Sequence, residues 1–306
     1  NGNQGTDTFT YDAGALSTDQ SYTVATSSLI VSRGGISFDT VTSSSMNSVT
    51  LNTGSGNDTA FVQQYLTTIP LTINGGIGND VCEFGSGDVA TNISSGAVFL
   101  FNGQEGTDTF NLRNATPNNA FTYTAAANTT LQVARTFPTP YSASFEYYNT
   151  EQKVIWAGPA VDILNITFFA SGELSFHGAG GDDAFNLPTS SDLIGRRVNF
   201  YGEAGTGNRI NHVGNSKSAA SIVHVTQNSI GAFPGDNFFA PGGSVFFDSV
   251  QFVNVRLGSG ADTAYVQPNA VAAIGIVGGS PVSAPGDTLN LALADAQNYS
   301  VNGTPA

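Results

Sequence analysis

The stretch Leu71–Phe84 reads LTINGGIGNDVCEF. Leu71 and Ile73 alternate with polar neighbours, a glycine-rich corner closes at Asp80, and Cys82 and Phe84 alternate again. Period two with one apolar face marks a half-buried strand. The cassette is therefore strand, corner, strand. The glycines have a backbone reason, because a sharp reversal needs positive φ, which glycine supplies without steric cost. The aspartate can then accept hydrogen bonds from amides freed at the corner.

Working outward, the same cassette recurs as FLFNGQEGTDTFNL (Phe99–Leu112), LSFHGAGGDDAFNL (Leu174–Leu187) and VRLGSGADTAYV (Val255–Val266). Two and four residues after the acid come Ala60 and Val62, Phe110 and Leu112, Leu164 and Ile166, Phe185 and Leu187, Ala264 and Val266, Leu289 and Leu291. The residue between them faces the other way and is often asparagine: Asn111, Asn165, Asn186, Asn290. Corner positions fall at Asp7, Asp58, Asp80, Asp108, Asp162, Asp183, Asn208, Asp262 and Asp287. By difference of those numbers the gaps are 51, 22, 28, then 54, 21, 25, then 54, 25. That is a superrepeat of about 100 residues, present three times, over 1–102, 103–201 and 202–306. Phe38-Asp39, Phe145-Glu146 and Phe247-Asp248 are read as matching landmarks.

These spacings predict an all-β chain folded as one continuous parallel β-helix, a β-solenoid. Short gaps suit one rung of two or three strands. Each long gap, such as SYTVATSSLIVSRGG followed by ISFDTVTSSSMNSVTL, is expected to hold about two rungs without the glycine corner. About twelve rungs, at about 4.8 Å each, make a rod of about 55–60 Å. The alternative is three tandem β-sandwich domains of about 100 residues each. No Pro-rich or charged linker separates the units, which favours the solenoid.

Composition narrows function. The chain has 306 residues with only 10% charged, 40% hydrophobic, 36 glycines and a net charge of −14. That balance argues against nucleic acid and anionic membranes as partners and fits cation binding or a soluble acidic surface. No helical period runs far, and no transmembrane or lipidation segment is read. The chain opens at Asn1 inside a corner (NGNQGTDTF), as a mature product or a piece of something longer would. One cysteine, Cys82, excludes an intrachain disulfide and falls on an inward position, where a small buried hydrophobe is expected.

The corners GSGND, GGIGND and GAGGDD resemble the calcium-binding nonapeptide of RTX proteins, G-G-x-G-x-D-x-U-x. Gly75–Glu83 fits it nearly letter for letter, with Cys82 at the large apolar site. In that family the nonapeptides run in direct tandem with calcium between turns; here each copy is a whole rung from the next. The chain is closer to widely spaced GSGNDT and GGAGND arrays of large secreted and surface proteins of bacteria. That resemblance implies an extracellular structural or adhesive role.

Calcium is the candidate cofactor, with Asp58, Asp80, Asp108, Asp162, Asp183, Asp262 and Asp287 as candidate ligands. Stacked carboxylates ~5 Å apart at an effective dielectric near 20 repel by about 3 kcal/mol per pair. Amide hydrogen bonds, solvent or a hard cation must offset this. Asp58 with Asp80, Asp162 with Asp183, and Asp262 with Asp287 are the best-spaced pairs. Two corners depart from the pattern: Asn208 replaces the acid, and the corner at Asp162 reads GPAVD.

No nucleophile motif is present, and no enzyme is expected. His177 stands where Asn74 and Val277 stand in the sister units, and His212 where Leu112 stands, as surface and packed positions would. A β-helix polysaccharide lyase would have only Asp192, Arg196 and Arg197 to draw on, and adjacent arginines on a strand point to opposite faces. Seven N-x-S/T sites, at Asn57, Asn92, Asn114, Asn128, Asn165, Asn298 and Asn302, are close to what this composition yields by chance. Outward aromatics (Phe61, Tyr265, the Phe145–Tyr148 run and Trp156) would stack on sugars or on neighbouring loops. The expected role is an extracellular or cell-surface structural rod, a segment of a stalk, fibre or adhesin. Its partners would be further copies added head to tail, or neighbouring repeats. The alternative is a calcium-stiffened module that binds glycans.

Overall fold

The computed structural model describes residues 5–42, 46–212, 214–267, 270–279 and 286–292, excepting the side chains of residues 38, 39 and 41. The sequons at Asn298 and Asn302 lie outside them. Two sheets account for nearly all of the secondary structure, sheet A with 12 strands and sheet B with 14. The chain passes between them at each corner. Leu71–Ile77 lies in sheet A between Ser48–Asn52 and Val98–Glu105, parallel to both. Val81–Phe84 lies in sheet B between Thr59–Val62 and Thr109–Arg113, again parallel to both.

Register explains why the alternation recurs. Leu51, Ile73 and Phe101 stand in one row of sheet A; Val62, Phe84 and Leu112 stand in one row of sheet B. All six are buried. Because side chains in a strand alternate faces, in-register parallel stacking puts the alternating apolar positions of the cassette (Leu71, Ile73, Cys82 and Phe84) between the sheets, while Ile77 at the corner is exposed. Each fully buried aliphatic or aromatic side chain there contributes about 1.5–3 kcal/mol. Aromatic rings fill the centre: Phe99 stacks on Phe145 at 5.2 Å, and Phe84 meets Phe110 at 5.5 Å. Both sheets run through all three units, so tandem sandwiches are excluded.

The long gaps are not extra rungs. Ser21–Ala25, Ser28–Arg33 and Ile36–Thr42 form an antiparallel meander within sheet B. Thr122–Ala126, Thr130–Arg135 and Tyr141–Tyr148 form one within sheet A. Ile222–Val225, Ser229–Ile230 and Ser244–Asp248 form a third, in sheet B. The cause is local turn chemistry. Gly34 and Gly35 both have positive φ, 57° and 79°, between Arg33 and Ile36. Two consecutive positive-φ residues close a tight hairpin and send the chain back along its own sheet.

The meanders also change which edge carries the glycine corners. In the first unit these corners lead from sheet A to sheet B, as from Ser48–Asn52 to Thr59–Val62. After the meander in sheet A they lead from B to A, as from Glu173–His177 to Ala184–Asn186. After the third meander they lead from A to B again, as from Phe252–Arg256 to Thr263–Val266. Successive units are therefore the same pattern with the sheets exchanged. The corners stack within a unit but do not form one file along the whole chain.

Candidate functional site: the corner carboxylates

Within each unit the corner acids form a ladder of hydrogen bonds along the stacking direction. The N–H of Gln20 donates to Asp58 Oδ1 (2.7 Å), that of Asp58 to Asp80 Oδ1 (2.8 Å), and that of Asp80 to Asp108 Oδ1 (2.7 Å). Glu151 ends the run, accepting from the N–H of Asp108 at 2.8 Å. The second ladder runs from Phe121 through Asp162, Asp183 and Asn208 to Gln251, with steps of 2.6, 2.8, 2.8 and 2.9 Å. The third joins Ser221 to Asp262 and Asp262 to Asp287. The three pairs expected from spacing are each directly linked, and Asp108 joins the first.

The residue before the acid supplies a second ladder of opposite sense. Asn79 N–H donates to Asn57 Oδ1, and Thr107 N–H to Asn79 Oδ1, both at 2.8 Å. In a GND corner, asparagine thus reaches forward to the next rung and aspartate reaches back to the previous one. The dipeptide therefore meets two backbone donors per rung, a buried one through aspartate and an exposed one through asparagine. The Gly residues permit the close stacking. A Cβ on Gly106, whose φ is +143°, would lie 1.6 Å from the carbonyl oxygen of Gly78.

The terminating residues fix the true landmarks between units. Asn47, Glu151 and Gln251 each accept from the N–H of a corner residue, Asp7, Asp108 and Asn208 respectively. Counting back from them, Tyr147 corresponds to Phe247, so Phe145-Glu146 is not the counterpart of Phe247-Asp248. Phe38 and Asp39 are eight or nine residues before Asn47 and do not match either. The Phe145–Tyr148 run is also corrected: Phe145 and Tyr147 are buried in the core, and only Glu146 and Tyr148 face outward. The acceptors Asn47, Glu151 and Gln251 escaped sequence reading because their side chains differ in length and type.

One carboxylate oxygen remains over. Oδ2 of Asp58, Asp80, Asp108, Asp183 and Asp262 is buried without a hydrogen-bond partner. Around it lie carbonyl groups: a Cβ on Gly103 would meet Asp108 Oδ2 at 2.2 Å and Asn149 O at 2.3 Å. At Asn208 the equivalent atom is Nδ2, which donates to Gly202 O (2.8 Å) and Ser249 O (3.0 Å). The position thus suits a donor, and a protonated carboxyl has the same layout of donor and acceptor as this amide. Burial, opposed by the amide hydrogen bonds, pushes Asp80, Asp162 and Asp183 up to about 7. It also raises Asp58 and Asp108. Asp162 differs in detail, since its Oδ2 accepts from Gly158 N–H at 3.1 Å.

For a cation the donor set is mixed. Among the described residues, no three His, Cys, Asp or Glu side chains gather as a metal-binding group. Each acid spends Oδ1 on an amide, and Asp162 and Asp287 spend Oδ2 on one as well, so only Oδ2 of Asp58, Asp80, Asp108, Asp183 and Asp262, with adjacent carbonyl oxygens, would be hard ligands for calcium.

The remaining titratable groups are dispersed. His177 stacks between Trp156 (3.9 Å) and Tyr201 (4.6 Å) and binds Glu203. His212 is buried, and desolvation lowers it to about 4. Cys82 is fully buried, which pushes its thiol up. Asp192 pairs with Lys217, whereas Arg197 pairs with Glu173. Among the described residues no helix is long and apolar enough to cross a membrane. No protein-family model matches the chain, and the search of curated proteins found no match.

Proposed function

We propose that this chain is an extracellular structural repeat protein, a rod-like segment of a surface stalk, fibre or adhesin. The observation that carries the reading is the pair of sheets running through all three units, tied along both edges by side-chain ladders. Load along the stacking direction would be shared by backbone bonds, ladder bonds and interlocked rings. The acidic surface would keep such rods dispersed. Antibody labelling of intact cells of the source organism tests this; exclusively intracellular signal would overturn it.

Self-association is the partner this reading favours. Among the described residues, Thr8–Asp12 and Ile36–Thr42 are the outermost strands at one end, and Ala273–Val277 and Thr288–Leu291 at the other. Such edges invite strand addition. The first and third units carry their corners on the same edge, so a copy that continued the alternation would be turned by half a revolution. Sedimentation across a concentration series should show end-to-end growth; a monomer at every concentration would sink it.

A second reading, calcium bound at the corners, is favoured by the partnerless Oδ2 atoms. Melting in EDTA against calcium tests it, and an unchanged midpoint would remove the metal.

A further inference from the structure

On the outer face of sheet B, the parallel strands Ile222–Val225, Thr263–Val266 and Thr288–Leu291 align His224, Tyr265 and Asn290 in one row. His224 stacks on Tyr265 at 4.6 Å and 9°, and its other face takes Phe233 at 4.6 Å and 17°. Asp236 holds this stack in place. Its Oδ1 bonds His224 Nδ1 at 2.7 Å, and its Oδ2 accepts from Phe233 N–H at 2.9 Å. The rings are fixed, yet Phe233 is 49% and Tyr265 40% exposed. Ordering aromatic rings without covering them leaves apolar surface in water that a ligand would remove.

Two cavities meet at Phe233. One, of about 320 Å³, is bounded by Tyr265, Gln267 and Asn290. The other, of about 710 Å³, is bounded by Gln227, Asn228, Phe246 and Asp248. Thr226, Phe233 and Gln267 line both, so the two form a continuous cleft. Both volumes fall in the range of small-molecule sites. Among the described residues no lysine or arginine lines either one, and Arg197, over the Phe246 ring at 4.1 Å, is paired with Glu173, which disfavours phosphate, sulfate and uronic acids as ligands. The polar rim combines the side-chain amides of Asn228, Gln267 and Asn290 with the hydroxyls of Thr226 and Ser229 and the carboxylate of Asp248; an amide offers donor and acceptor together, as a hydroxyl does. An apolar ring face beside such a rim matches a pyranose, which presents C–H groups on one face and hydroxyls around its edge.

The Arg113–Trp156–His177 stack on the same sheet has no such opening. Trp156 is covered by His177 on one side and by Arg113, 4.8 Å from its ring centre, on the other. We propose that the Phe233–Tyr265 cleft is a binding site for neutral oligosaccharides, with Phe233 as the stacking platform and Gln267 and Asn228 as hydroxyl partners. This goes beyond the rod reading and stands or falls separately from it.

The test is an array of neutral and acidic oligosaccharides probed with the whole chain, followed by calorimetry on a neutral hit. Binding of neutral hexose or N-acetylhexosamine oligomers is expected. Phe233→Ala should weaken it at least tenfold, Gln267→Ala severalfold, and Trp156→Ala, in the covered stack, not at all. Unchanged melting of Gln267→Ala guards against a folding artefact. No neutral hit, exclusive binding of acidic glycans, or equal loss in Trp156→Ala would each overturn the assignment.

Discussion

Asp183 and Asn208 occupy successive steps of one ladder and differ by one atom. Both accept a backbone N–H through Oδ1, at 2.8 and 2.8 Å from Asp162 and Asp183. The second atom separates them. Asp183 Oδ2 has no partner, whereas Asn208 Nδ2 has two carbonyl acceptors. The pair shows that the corner asks for an acceptor on one side and a donor on the other. Asparagine meets that demand at any pH; aspartic acid meets it only while protonated. Stacked acids at ~5 Å would otherwise repel by about 3 kcal/mol per pair, and protonation removes that cost as effectively as a cation would.

The comparison can be broken most severely by Asn208→Leu. It strands the buried N–H of Asp183 and two carbonyl oxygens, and should cost about 2–4 kcal/mol in denaturant unfolding. A loss below about 1 kcal/mol would mean the corner does not need those bonds. Next in size is the pH response. Acids pushed up to about 7 in the native state bind protons there that the unfolded chain, near 3.9, has released. Stability should therefore be greatest below pH ~4, fall as pH rises to ~7, and level off above. A melting midpoint that climbs between pH 5 and pH 8 would contradict the neutral-acid account.

Single substitutions separate this effect from the repulsion of the whole acidic surface. Asp183→Asn should stabilise by about 1–2 kcal/mol at pH 8 and by nearly nothing at pH 4, a figure discounted for solvent screening. Asn208→Asp should mirror it, destabilising at pH 8 only. Matched effects at both pH values would assign the change to packing. The smallest effect is expected at Asn79→Ala, which removes the forward-reaching acceptor for Thr107 N–H on an exposed surface; about 0.5–1 kcal/mol would be lost.

The parts legible in sequence were those with a period. Alternation after Asp58, Asp80 and Asp108 located strands, inward rows and the pairing of corners, because parallel in-register stacking repeats the same residue at the same place. The meanders were hidden. Their strands alternate just as rung strands do, and only turn chemistry such as Gly34-Gly35 distinguishes a hairpin from a passage to the other sheet. The ladder ends at Glu151 and Gln251 also broke the pattern, since a longer side chain reaches the same amide from a different backbone position. Phe233 was invisible for another reason. It comes from an irregular loop, and its partners His224 and Tyr265 are 9 and 32 residues away in the chain.

The exchange of sheets at every meander sets a rule of parity for any array built this way. Removing or inserting one unit of about 100 residues would carry each downstream surface, including the Phe233 cleft, to the opposite side of the molecule. Two units together would restore it. Length in such an array is thus free to vary only in pairs if ligands are to be met on one side.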